Sequence, residues 1–284
     1  MLHKLLLGLA LALSLVAQRA RAVETAGGGR PIVIGQSYLL HSKILGDERR
    51  LNVYLPEHYS DPGQSFPVLL LLDGGEQEDF HHITGLAQIN AAYGFGQEVI
   101  VVGIEGVDRR HDLTSPSTVA EDLKRAPTSG GAAAYRRFLV EEIEPWVAAH
   151  YRTNGRTGII GESLAGLFVL ESLLTAPASF DDYIAVSPSL WWNGGSLSRE
   201  AARDLKAHDF AGKRAYLAFD EPAPPADVAA RERADQKAVQ SALETARPKG
   251  LTFFVERPNE THGSIYHPAA MKAFRVLYPP PAKP

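Results

Sequence analysis

Thr157-Gly158-Ile159-Ile160-Gly161-Glu162-Ser163-Leu164-Ala165-Gly166 is an apolar run that ends in Gly-x-Ser-x-Ala and passes, without a linker, into an apolar stretch reaching Leu174. That order predicts a buried strand, a sharp turn and a helix packed on a sheet. A serine in such a turn has strained backbone angles, and its hydroxyl projects above the sheet as a nucleophile. Positions 161 and 165 must be small because larger side chains would collide across the turn, and Ala165 stands where a second glycine is usual. The amide of Leu164 falls at the helix N-terminus, where a developing oxyanion is favoured. A serine that merely begins a helix would cap its free amides instead. The strand before Ser163 and the helix after it favour the nucleophile.

Outward from this centre the pattern repeats. Phe66 to Gly74 and Glu98 to Ile104 are apolar on successive positions, as strands buried on both faces of a parallel sheet are. Ile32 to Leu45 and Arg49 to Leu55 alternate as strands about a turn at Gly46-Asp47-Glu48, and Tyr183 to Val186, Arg214 to Phe219 and Leu251 to Glu256 supply further strands. Helical spacing runs through Ala132 to His150, Leu164 to Leu174, Ala226 to Thr245 and Pro268 to Tyr278. Strands alternating with helices predict an α/β fold with a mostly parallel central sheet flanked by helices. No internal repeat or linker divides the chain, so one catalytic domain over residues 36–278 is expected, with a loose segment at 23–35 and a frayed Pro-rich tail at 279–284.

A serine elbow needs a base, and in this architecture the chain order is Ser, then acid, then His. His262 follows the strand Leu251 to Glu256 and precedes the last helix, whereas His267 is followed by Pro268 and reads as a helix start. For the acid, Asp220 and Glu221 both stand at the end of the strand Arg214 to Phe219, and Asp220 is the first choice. A Ser-His dyad without a tight acid is the alternative. The loop Leu72-Asp73-Gly74-Gly75-Glu76 closes an early strand, and the amide of Gly75 or Glu76 is the expected second oxyanion donor. Arg109, after the strand Val99 to Ile104, and Trp191-Trp192, after Tyr183 to Val186, belong to the sheet edge where active-site loops gather. A cation beside an aromatic wall suits an aromatic or anionic acyl group, catecholates included. His81-His82 and His111-Asp112 form no compact ligand set, so no metal is expected.

Several of these pieces are similar to a known family. Leu71 to Gly74, Val102 to Ile104 followed by Arg109 and Asp112 to Thr114, Tyr151 to Thr153, the serine elbow, Tyr183 to Trp192, and His262 to Ser264 occur in this order along nearly the whole span from residue 35 to 278. Together they resemble the putative-esterase family of α/β-hydrolases, in particular siderophore esterases of the enterobactin-hydrolase type. The resemblance implies the α/β-hydrolase fold, Ser163 and His262 as catalytic residues, and an oxyanion hole near Gly74 to Glu76 and Leu164. Two positions depart from the family pattern. Glu162 stands where relatives commonly have His, and the segment after Phe219 lacks the usual Gly before an acidic residue.

Composition narrows the remaining classes. With 29 Lys plus Arg against 33 Asp plus Glu, the net charge of −4 offers no broad basic face for nucleic acid. The absence of cysteine excludes disulfides, thiolate metal sites, a cysteine nucleophile and a lipoprotein anchor. His3 and Lys4 precede the apolar run Leu5 to Val16, which is shorter than the roughly 20 residues a membrane span takes. Ala20-Arg21-Ala22 then resembles a cleavage site, so residues 1–22 are expected to be a signal peptide and the mature protein periplasmic or secreted, without stable membrane insertion. The expected activity is serine-dependent hydrolysis of a small-molecule carboxylic ester through an acyl-enzyme, without a cofactor. An exported acyltransferase and a non-catalytic binding protein on the same scaffold are the alternatives.

Overall fold

The computed structural model describes residues 30–223 and 225–280, so the expected signal peptide and all but the first two residues of the Pro-rich tail lie outside the described residues. The chain divides into Met1–Ile34, of which residues 30–34 are described and carry no helix or strand, and Gly35–Pro284, which contains every element below. Among the described residues no helix is long and apolar enough to cross a membrane.

Eight strands form one sheet. They are β1 (Gln36–His41), β2 (Glu48–Tyr54), β3 (Phe66–Leu72), β4 (Ile100–Ile104), β5 (Thr153–Glu162), β6 (Asp182–Val186), β7 (Arg214–Ala218) and β8 (Thr252–Glu256), in the spatial order β1-β2-β4-β3-β5-β6-β7-β8. The first two pair antiparallel at one edge, and β4 through β8 run parallel with β3. Every residue of β3, β4 and β6 is buried, as the uninterrupted apolar sequence of β3 and β4 requires, and β6 buries Asp182 along with its apolar residues. Alternation within a strand sorts side chains between two cores. Leu70, Leu72 and Ile159 join Leu167 and Phe168 on one face, while Leu69, Leu71 and Ile160 meet Ile83 and Phe274 on the other.

Helices cover both faces. On the first lie α4 (Ala132–Phe138) and α6 (Leu164–Thr175); on the second, α1 (Phe80–Ala92) packs against α9 (Tyr266–Leu277). Between α4 and α6 comes α5 (Glu144–His150), joined to α4 by a π turn at Leu139–Ile143, so the expected single helix from 132 to 150 changes its winding just before Pro145, which has no N–H to donate. Short helices α2 (Arg109–Asp112) and α3 (Ala120–Arg125) follow β4, and α7 (Ser196–Ala207) packs on α8 (Ala226–Ala246).

The expected first strand, Ile32 to Leu45, shrinks to Gln36–His41, because its partner pairs only from Val53 back to Glu48 and residues 42–47 close the hairpin through Ser42 N–H to Asp47 O at 2.8 Å. Four helices, α1, α2, α3 and α7, stand where none was expected. In α1, Thr84 and Gly85 weaken the local propensity, and burial of Phe80, Ile83 and Ala87 against α9 carries the helix. The last helix begins at Tyr266 rather than Pro268.

Candidate active site

The turn after β5 has the strain its sequence predicts. Ser163 adopts φ 62° and ψ −119°, a region that costs a non-glycine residue about 1–3 kcal/mol. Neighbours hold it there. Its N–H donates to Val186 O at 3.1 Å, and its carbonyl accepts from Leu167 N–H at 2.9 Å and Ser189 N–H at 3.1 Å. The small residues are a packing requirement. A Cβ on Gly161 would lie 2.5 Å from Ala165 Cβ, and one on Gly166 would lie 2.5 Å from Val186 O. The start of α6 therefore rests directly on the end of β6.

Because β5 to β8 are parallel, the segments after their C-terminal ends converge on one edge of the sheet. Ser163 follows β5, Ser187 follows β6, Asp220 follows β7 and His262 lies in the loop between β8 and α9. His262 Nε2 sits 3.1 Å from Ser163 Oγ. Its other nitrogen, Nδ1, is 2.7 Å from Ser187 Oγ and 3.6 Å from Asp220 Oδ2, so the hydroxyl is the nearer partner and the carboxylate a looser one. Glu221, the other acid expected here, turns outward, with its carboxylate 3.9 Å from Arg233 and half exposed.

Asp220 is buried and anchored. Gln236 Nε2 donates to its Oδ1 at 3.0 Å, and Gln236 Oε1 in turn accepts from Arg257 at 2.8 Å. Burial pushes the Asp220 carboxyl up, but the neighbouring His262 and Ser187 side chains outweigh it and hold the group below its ordinary value. The Asp220 carboxylate raises His262, burial opposes, and the charges of Glu162 and Glu232 add to the rise. Burial raises Glu162 itself, with His262 and Arg109 acting against it.

The expected oxyanion loop is tightly tied. Gly74 N–H donates to Ile104 O at 2.9 Å, and Gly75 N–H donates to Glu78 Oε2 at 2.7 Å, an oxygen that also accepts from Gly106 N–H at 3.2 Å. Of the two amides expected from this loop, that of Gly75 is thus engaged within the loop, and Glu76 is exposed at its tip. Asp73, at φ 51°, receives a two-pronged contact from Arg109 at 3.0 and 2.7 Å, which links the loop after β3 to α2.

A cleft of about 700 Å³ opens over Ser163, Leu164 and His262. Arg109, Arg110, Lys124 and Arg125 line it with basic side chains, and Asp220 and Glu232 with acidic ones. Trp191 and Trp192 also line it. Trp192 is buried and donates from Nε1 to Ser115 O at 2.9 Å, whereas Trp191 is half-buried beneath the Arg125 guanidinium, 5.8 Å from its ring centre. Among the described residues no group of three or more His, Asp or Glu side chains could hold a metal ion. His82 instead meets His267 at 3.0 Å, and His111 Nδ1 lies 3.0 Å from Asp112 Oδ1.

Ser187 and Gln236 were not expected at the site. Ser187 begins Ser187-Pro188-Ser189 at the end of a strand, which is a usable signal in a parallel sheet. Gln236 lies inside a charged, Ala-rich helix and carries no such signal.

Comparison with known proteins agrees with this architecture. The chain is 36% identical to a siderophore enterobactin esterase of Emericella nidulans over 123 residues, 38% of this chain and 41% of the relative. It is 34% identical to the ferri-bacillibactin esterase BesA of Bacillus subtilis over 148 residues, 46% of this chain and 50% of that one. The chain thus spans about half the length of the curated relatives it matches. A solved IroE-like serine hydrolase from Shewanella oneidensis superposes with a TM-score of 0.78 at 29% identity, covering 86% of this chain and 80% of the other. That likeness makes the fold an α/β-hydrolase. The model of the family described as "putative esterase" matches residues 42–243, from the first hairpin through the serine elbow into α8, and the chain belongs to that family.

Proposed function

We propose that the protein hydrolyses carboxylic esters of small molecules through an acyl-enzyme, with residues 36–278 as the catalytic domain. The observation that carries this reading is the 3.1 Å contact between Ser163 Oγ, on its strained turn, and His262 Nε2 at the floor of a cleft. His262 takes the proton as Ser163 attacks the ester carbonyl, and Asp220 stabilises the imidazolium that results. The Leu164 amide at the N-terminus of α6 and the Glu76 amide hold the oxyanion. His262 then protonates the departing alcohol, and a water activated by the same base releases the acid. Side chains, backbone amides and water supply every step.

A siderophore-type ester with aromatic, anionic acyl groups is the substrate class this reading favours. Support comes from the basic side chains that line the cleft together with Trp191 and Trp192, and from the names of the relatives. Residues 1–22 support export to the periplasm or beyond. Assaying the purified protein on a catecholate trilactone, an acetylated sugar and a simple lipid ester tests the proposal. Turnover of the trilactone at least about tenfold above the others, lost in Ser163→Ala, is expected. Failure to cleave any ester, or activity that survives Ser163→Ala, overturns it.

A further inference from the structure

We infer that Ser187 is the positioning residue for the general base: its hydroxyl, nearer than the Asp220 carboxylate, holds His262 Nδ1. The inference rests on Ser163 and His262 being nucleophile and base. Its starting point is the order of distances at Nδ1, 2.7 Å to Ser187 Oγ against 3.6 Å to Asp220 Oδ2.

Proton accounting gives the contact a direction. A hydroxyl can donate or accept. For Nε2 to offer Ser163 a lone pair, the proton of the neutral ring must sit on Nδ1, so Ser187 Oγ is the acceptor of Nδ1–H at 2.7 Å. The imidazole is then held in the tautomer whose Nε2 lone pair faces Ser163. When Nε2 takes the Ser163 proton, Nδ1–H stays on the Ser187 oxygen and the positive ring has the Asp220 carboxylate 3.6 Å away. No proton passes to Asp220.

The backbone supports the assignment. Ser187 is 3% exposed and held at φ 41°, where glycine would sit without strain, and its N–H is fixed to Ala218 O at 2.7 Å. A strained residue whose hydroxyl meets the base is the kind of outlier from which function is inferred. Asp220 is oriented from behind, because Gln236 occupies Oδ1 and leaves Oδ2 on the His262 side.

Ser187→Gly separates the hydroxyl from the backbone, since glycine keeps φ 41° freely. On a soluble aryl ester kcat should fall about 10- to 100-fold, the size of one hydrogen bond to a charged group, with KM unchanged. The acid limb of the pH profile should move to lower pH, because the imidazolium loses its partner. Wild-type kcat and an unmoved limb in Ser187→Gly would overturn the assignment. An NMR titration of the His262 Cε1 proton in a Ser163→Ala background reads the same contact without turnover. Adding Ser187→Gly should lower the titration midpoint, and an unmoved midpoint contradicts the assignment. If the hydrolase reading alone is wrong, the wild type cleaves no ester while this titration still responds.

Discussion

Ser163 owes its reactivity to one atom, and replacing it with Ala tests that atom alone. Alanine meets the same positive φ with the same strain, so the melting temperature should hold while kcat falls about 10⁴- to 10⁶-fold. Retention of a tenth of the activity would place the nucleophile elsewhere. His262 must be neutral to accept the proton, and the Asp220 carboxylate, with Glu162 and Glu232 adding and burial opposing, raises its pKa. Activity should therefore rise with pH through a limb above the ordinary histidine value of about 6.5. In Glu162→Gln one of the carboxylates that favour the protonated ring is gone, so the limb should shift down in a kcat/KM profile. An unmoved limb would show that Glu162 is not coupled to the base. The proximity of Ser163 and His262 was legible because each lies in a local pattern that implies its place. That of Ser187 to Nδ1 was not, since it arises where the end of β6 meets a loop 75 residues away.

Elements constrain the site through close approach. Gly161 faces Ala165 across the elbow, and Gly161→Ala would bring two Cβ atoms to 2.5 Å. The turn must open to accept it, so stability should drop by about 1–3 kcal/mol and kcat by more than the melting curve alone explains. Thermal unfolding and kcat measured together check this; a variant with wild-type values in both would deny the elbow its tight packing. The elbow strand and α6 could be read from sequence because an apolar run and an all-round apolar helix leave few other arrangements. The extent of β1 and the helix α1 could not. β1 ends where its partner's register ends, and α1 holds Thr84 and Gly85 in place through tertiary burial. The state of the Gly75 amide was equally hidden, because it depends on where the Glu78 carboxylate turns.

Across the whole molecule the parallel sheet separates stability from chemistry. Its C-terminal edge bears Ser163, Ser187, Asp220 and His262, while at the other end Asp182 is fully buried between Arg156 and Arg214, each contacting it with two nitrogens. Asp182→Ala would leave both guanidinium groups without their partner, at a cost near the lower end of about 3–5 kcal/mol and a melting temperature lower by about 6–12 °C. Five residues along β6 separate Asp182 from Ser187, about 16 Å, so kcat measured well below the melting point should stay at the wild-type value. A matching loss of kcat would contradict that separation. The parallel order was legible from strand–helix alternation, but which loops meet at the edge depends on strand order, which no local pattern encodes. The central claim, one serine activated by one histidine, is tested most directly by treating the folded protein with a fluorophosphonate and mapping the adduct over the whole chain by mass spectrometry. The account predicts a single adduct on Ser163 whose formation slows by orders of magnitude in His262→Ala. Labelling at another serine, or none at Ser163, would contradict it.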